Sequence, residues 1–160
     1  MTTGDPVARA DGGGAELYLT RVFNAPREIV FRAWTDPEQM KQWLGPRDFP
    51  AVHVEMDLRP GGAWRACLRP VHGGPDLWQG GHYREITVPE KLVYTFAWDE
   101  PHPAHGHEML VTAVFTEQDG RTRLVFRQTG LPSAAERDGH QGGWTSTFDR
   151  LDDFLDRPAP

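Results

Sequence analysis

The chain has little that could fasten it from outside. Cys67 is its single cysteine among 160 residues, so no internal disulfide can form and the fold must rest on its own core. No run of about 18 apolar residues is present to cross a bilayer as a helix. The first residues lack the charged start and apolar stretch of a secretory signal, so a cytoplasmic location is expected. Positive charge is also scarce, with 17 basic residues against 23 acidic ones and a formal charge of -6. That is the wrong sign for a phosphate-backbone partner, which excludes nucleic acid, and no membrane partner is expected either. Lysine occurs only at Lys41 and Lys91, so nearly all the basic residues are arginine, a balance that fits a GC-rich bacterial source. The usual signatures of hydrolysis, metalloproteolysis and nucleotide chemistry are missing: there is no G-x-S-x-G elbow, no H-E-x-x-H pair, no phosphate loop and no dinucleotide fingerprint.

What the chain has in quantity is aromatic surface. Six Trp, eight Phe and three Tyr need burial, and they outweigh the disorder signal of 17 Gly and 14 Pro. A chain of this length suits one ordinary domain. Residues 1–14, rich in Gly and Asp, read as a disordered leader, and residues 157–160 as a frayed tail, which leaves 15–156 to fold.

An alternating strand over 16–23 is stopped by Asn24-Ala25-Pro26, and Pro26 suits the first position of a helix. Ile29, Val30, Ala33 and Trp34 then share one helical face. Asp36 can cap a second short helix opened by Pro37, with Met40, Trp43 and Leu44 apolar before Gly45-Pro46 ends it. From 49 to 129 the pattern is a succession of strands separated by turn residues, an antiparallel meander. Leu92, Tyr94, Phe96 and Trp98 fall on one face, as do Val111, Ala113 and Phe115, and then Leu124, Phe126 and Gln128. Asp119-Gly120 is a hairpin signal. The last segment opens at Pro132-Ser133, shows a break in helix preference around Gly139, Gly142 and Gly143, and continues with Trp144, Thr147, Phe148, Leu151, Phe154 and Leu155 at helical spacing. The expected fold class is α+β: a curved antiparallel sheet of six or seven strands wrapped around a long C-terminal helix, with two short helices after the first strand. Imperfect filling of the concave face leaves a cleft.

The order of these elements and a series of short stretches resemble a known family. They are Phe23-Asn24-Ala25-Pro26, Trp34-Thr35-Asp36-Pro37-Glu38, Trp43-Leu44-Gly45-Pro46, Asp57-Leu58-Arg59-Pro60-Gly61-Gly62, Gly81-His82-Tyr83-Arg84-Glu85-Ile86, Pro89-Glu90-Lys91-Leu92-Val93, Thr122-Arg123-Leu124, Gly130-Leu131-Pro132, His140 and Gly143-Trp144. Together they are similar to the family named for the activator of the ninety-kilodalton heat-shock protein's ATPase, within the START-like (SRPBCC) helix-grip superfamily. The likeness covers about 16–155. It implies a hydrophobic ligand cavity between the concave sheet face and the last helix, and no shared catalytic residue set. The eukaryotic co-chaperone carries a further domain before its activating domain, and without it a chaperone partner is not expected.

Candidate chemistry is sparse. His102, His105 and His107 lie beside carboxylates in 99–108, residue types that can bind a transition metal. Their spacing matches no known ligand pattern, and the Pro and Gly content favours a solvated loop, so no metal and no cofactor is expected. His82 and Arg84 fall on one strand face and Tyr83 and Glu85 on the other. Cross-strand ion pairs are the commoner use of such residues, ahead of an acid/base pair. Cys67 reads as a buried strand cysteine rather than a nucleophile. The aromatics are the better candidates: Trp64, His82, Tyr94, Phe96, Trp98, Val111, Phe115, Phe126, Gln128, Trp144 and Phe148 are expected to bind a small hydrophobic or aromatic molecule, with Gln128, Trp64 and His82 as polar handles. Two other functions are kept beside this one, a polyketide cyclase or aromatase-like enzyme using the same cavity and a protein-interaction module. A homodimer stays open as an assembly.

Overall fold

The computed structural model describes residues 15–156, and the expected leader and tail lie outside them. Strand β1 (Ala15–Phe23) leads into helices α1 (Arg27–Thr35) and α2 (Pro37–Met40). A meander follows: β2 (Ala51–Met56), β3 (Ala63–Leu68), β4 (Leu77–Thr87), β5 (Lys91–Trp98), β6 (Met109–Gln118) and β7 (Arg121–Leu131). Helix α3 (Ala134–Leu155) closes it. The seven strands form one antiparallel sheet in the order β1-β7-β6-β5-β4-β3-β2, so the first and second strands occupy opposite edges and the two short helices bridge them. This is the α+β helix-grip architecture.

Local chemistry accounts for the boundaries. The Asp36 carboxylate accepts from the Glu38 amide at 3.0 Å and starts α2; the Ser133 hydroxyl accepts from the Glu136 amide at 3.1 Å and starts α3. Asp119 and Gly120 both have positive φ, 54° and 78°, as a two-residue hairpin turn of the primed type requires. On α1 the buried residues are Val30, Phe31, Ala33 and Trp34, while Ile29, expected on that face, is 46% exposed. At 3.6 residues per turn Phe31 lies nearer than Ile29 to the face centred between Val30 and Trp34, and its ring meets Phe115 edge-on at 5.4 Å.

The core sits between the sheet and the helices. Trp34 is its centre, with ring centroids 5.1 Å from Trp43, 5.5 Å from Phe115 and 6.0 Å from Phe148. Phe148 and Leu151 of α3 are fully buried against it. Polar ties fix α3 from outside the core. Arg21 of β1 pairs with Asp149 and Asp152. Arg150 donates to the carbonyls of Leu44 at 2.7 Å, Gly45 at 2.9 Å and Gln42 at 3.0 Å. That guanidinium holds the 41–50 loop against the helix.

Helix α3 differs from expectation in running unbroken through Gly139, Gly142 and Gly143. Glycine in a helix interior is less favourable than alanine by only about 1 kcal/mol, and the ties on either side outweigh that. Gly81 has a different role, because a Cβ there would stand 2.0 Å from the Thr95 carbonyl oxygen. Gly142→Ala, which meets nothing within 4 Å, should raise stability by about 0.5–1 kcal/mol. Gly81→Ala should lower it by about 3 kcal/mol. Urea unfolding of the two variants measures both.

Candidate functional site

A cavity of about 260 Å³ lies between the N-terminal half of α3 and the concave sheet face. Residues at i, i+4 and i+8 of α3 make its roof: Ala135, Gly139 and Gly143 form a ridge with almost no side chains. The neighbouring ridge, Glu136, His140 and Trp144, supplies one wall. The floor comes from Leu68, Leu77, Gln79, Phe96 and Trp98, and the far side from Leu44–Phe49 loop atoms with His102. The cavity opens to solvent beside Ala135 and Gly139, both exposed. A hollow of about 20 Å³ adjoins it, and Leu44, Gln79 and Trp144 line both.

One buried amide organises the polar edge. Gln128 has no exposed surface, and its Oε1 accepts from Trp144 Nε1 at 2.9 Å and from His140 Nδ1 at 3.2 Å. Its Nε2 donates to Met109 Sδ at 3.4 Å. Trp98 Nε1 donates to His140 Nε2 at 3.2 Å, so the His140 proton sits on Nδ1 and the ring is neutral. His102 stacks on Trp98 at 4.4 Å, nearly parallel. With both nitrogens engaged, His140 has no lone pair left for a general-base step, and the arrangement is built to present flat apolar surface.

A family model described as "Activator of Hsp90 ATPase homolog 1-like protein" matches residues 24–156. The chain belongs to this family. Among solved structures, a protein from Chromobacterium violaceum is 28% identical with a TM-score of 0.80, covering 90% of this chain and 99% of that one. A protein from Rhizobium leguminosarum is 28% identical at a TM-score of 0.77, covering 91% and 97%. The AHSA1 protein from Silicibacter pomeroyi is 26% identical at 0.75, covering 88% and 97%. No functionally curated protein matches. The fold that this AHSA1-family chain shares commonly binds hydrophobic ligands, and no helix among its described residues is long and apolar enough to cross a membrane.

Of the eleven side chains singled out in the sequence, Phe96, Trp98 and Trp144 line the cavity, and Trp64 and Tyr94 line the adjoining hollow with Trp144. Val111, Phe115, Phe126 and Phe148 are packed core, and Gln128 lies behind the wall, bonded to it. His82 is exposed on the outer sheet surface. Arg84 pairs with Glu108 at 3.8 Å, and Glu85 pairs across strands with Lys91 at 3.4 Å. Glu85 was expected on the opposite face to Arg84. A register shift between Tyr83 and Glu85 turns both outward.

Most of the lining was not among the eleven, including Leu68, Leu77, Gln79, His102, Glu136 and His140. Gln79 follows from strand parity, since it shares the inward side with Tyr83. His102 was expected in a solvated loop, and its stacking on Trp98 is a tertiary contact with no local signal. The three loop imidazoles have separate partners: His102 Nδ1 accepts from the Ala104 amide, His105 Nδ1 lies 2.8 Å from the His102 carbonyl, and His107 Nε2 lies 2.6 Å from that of Gly130. Cys67 is buried on β3 directly opposite Trp78 of β4, its thiol pKa pushed up by burial and then by Asp76.

Burial, and to a lesser degree the neighbouring His102, depresses the His140 pKa to about 4. The neutral ring therefore stabilises the folded AHSA1-family chain fully above the unfolded value near 6.5, and that stability is lost as pH falls toward 4. Between pH 7 and pH 5 the loss from this residue should be on the order of 2 kcal/mol. His140→Gln, which can still donate to Gln128, should flatten the decline when urea midpoints are compared at the two pH values. An equal decline in the variant would assign it elsewhere.

Proposed function

We propose that this protein binds a small hydrophobic or aromatic molecule in the cavity between α3 and the sheet. The observation that carries the reading is the composition of the enclosure: Leu44, Phe49, Leu68, Leu77, Phe96, Trp98 and Trp144 surround a space that the helix roofs with Ala135, Gly139 and Gly143. Apolar enclosures with a few placed polar groups are what small-molecule sites look like. An apolar cavity of about 150 Å³ suffices for benzene, so the space of about 260 Å³ accommodates a larger, one- or two-ring molecule. Apolar surface buried on both sides supplies the affinity, and the aromatic rings favour a flat ligand.

Gly139 stands at the mouth, where an added Cβ meets nothing within 4 Å. A leucine there would extend over the opening without disturbing the core. Gly139→Leu should leave the fold at least as stable, since leucine is the better helix former, and should weaken binding of naphthalene about ten-fold or more. Quenching of the intrinsic Trp fluorescence reads the binding. If the wild-type protein binds no such compound and displaces no lipophilic dye, the reading fails.

A further inference from the structure

The cavity is mostly apolar, yet its floor contains a primary amide that no side chain or backbone group of the described residues bonds. Gln79 is 3% exposed and its side chain has no hydrogen-bond partner among the described residues, while it lines both the cavity and the adjoining hollow. The register explains its placement. Gln79 stands between Ala66 on β3 and Trp98 on β5, both on the inward side of the sheet. Ala66 is too short to cover it, and the Trp98 indole N–H is already given to His140. The other buried amide, Gln128, is bonded on both of its atoms. Leaving a buried polar group unpaired is unfavourable, and such groups in a binding site are commonly completed by the ligand.

Charge narrows the class further. Among the described residues no Lys or Arg lines the cavity, and its wall carries a carboxylate side chain, Glu136. His140 is neutral and bonded at both nitrogens. A carboxylate ligand would find no cation, would face Glu136, and would offer only acceptors to an amide that presents both a donor and an acceptor. A neutral group with a donor and an acceptor side by side satisfies both arms of Gln79 at once.

We propose that Gln79 determines specificity in this cavity, and that its ligand class is a neutral one- or two-ring compound carrying an adjacent hydrogen-bond donor and acceptor, as a lactam does. This rests on the cavity being a binding site and adds which molecules it selects. A site that hydrogen-bonds its ligand discriminates sharply against an analogue lacking the group, because its own polar atoms are then left bare.

The test compares three probes of similar size: the bicyclic lactam carbostyril, naphthalene, and naphthalene carboxylate. Affinities come from calorimetry and from Trp quenching, on the full chain and on Gln79→Leu. The wild-type protein should bind carbostyril about ten-fold more tightly than naphthalene and the carboxylate most weakly. In Gln79→Leu the lactam preference should vanish while naphthalene still binds, which also shows that the variant's cavity is intact. If the wild-type protein binds naphthalene as tightly as carbostyril, or if the variant keeps the preference, the role of Gln79 is overturned and the apolar cavity stands. If no probe binds the wild-type protein, the cavity reading falls and this inference with it. Should Gln79→Leu not fold, Gln79→Met provides the same comparison, and the wild-type ratio decides by itself.

Discussion

The arrangement depends on the double acceptance at Gln128 Oε1. Buried in the sheet, that oxygen accepts one hydrogen bond from Trp144 and another from His140, two residues one helical turn apart on α3. An amide enclosed in apolar surroundings must be satisfied, and these donors satisfy it only with the helix at one height and one rotation above β7. The same contact places the His140 proton on Nδ1, leaves Nε2 to accept from Trp98, and so orients the indole against which His102 stacks. One wall of the cavity is thus set from a single buried atom.

The volume of the cavity comes from what α3 omits. Its C-terminal half fills the sheet's concavity with Phe148 and Leu151, and Arg150 and Arg21 tie that half to the 41–50 loop and to β1. Its N-terminal half passes over the same sheet but presents Ala135, Gly139 and Gly143. A continuous helix held at both halves cannot sink to fill the gap, so a space remains under the small ridge. Close-packed interiors rarely keep such voids without a reason. Enclosure and the aromatic lining follow from the grip; the selectivity we assign to Gln79 follows from sheet register.

Much of the frame was legible from residue order. Leu92, Tyr94 and Phe96, then Val111, Ala113 and Phe115, then Leu124, Phe126 and Gln128, were read as inward faces and are buried as such, because period-two alternation survives in a sheet that is solvated on one side. The hairpin at Asp119-Gly120 and the opening of the last helix at Pro132-Ser133 depend on local chemistry alone and were equally readable. The cavity was harder to read. The glycines of α3 looked like a break because intrinsic propensity penalises them, whereas tertiary ties keep the helix whole and turn the missing side chains into space. His102 and Gln79 acquire their positions from loop return and strand pairing, which no short window of sequence contains.

The central claim is that the space beneath Ala135, Gly139 and Gly143 receives a small apolar molecule, and two of the six tryptophans report on it directly. Trp98 and Trp144 line the space, Trp34 and Trp43 lie in the core, and Trp78 lies on the outer sheet face beside Arg65. The decisive measurement is a titration with naphthalene followed through the indole N–H resonances in a nitrogen-15-labelled sample. The account predicts that the Trp98 and Trp144 signals shift and saturate together while Trp43 and Trp78 stay in place. Saturable shifts confined to Trp78, or no saturable shift at Trp98 and Trp144, would contradict it.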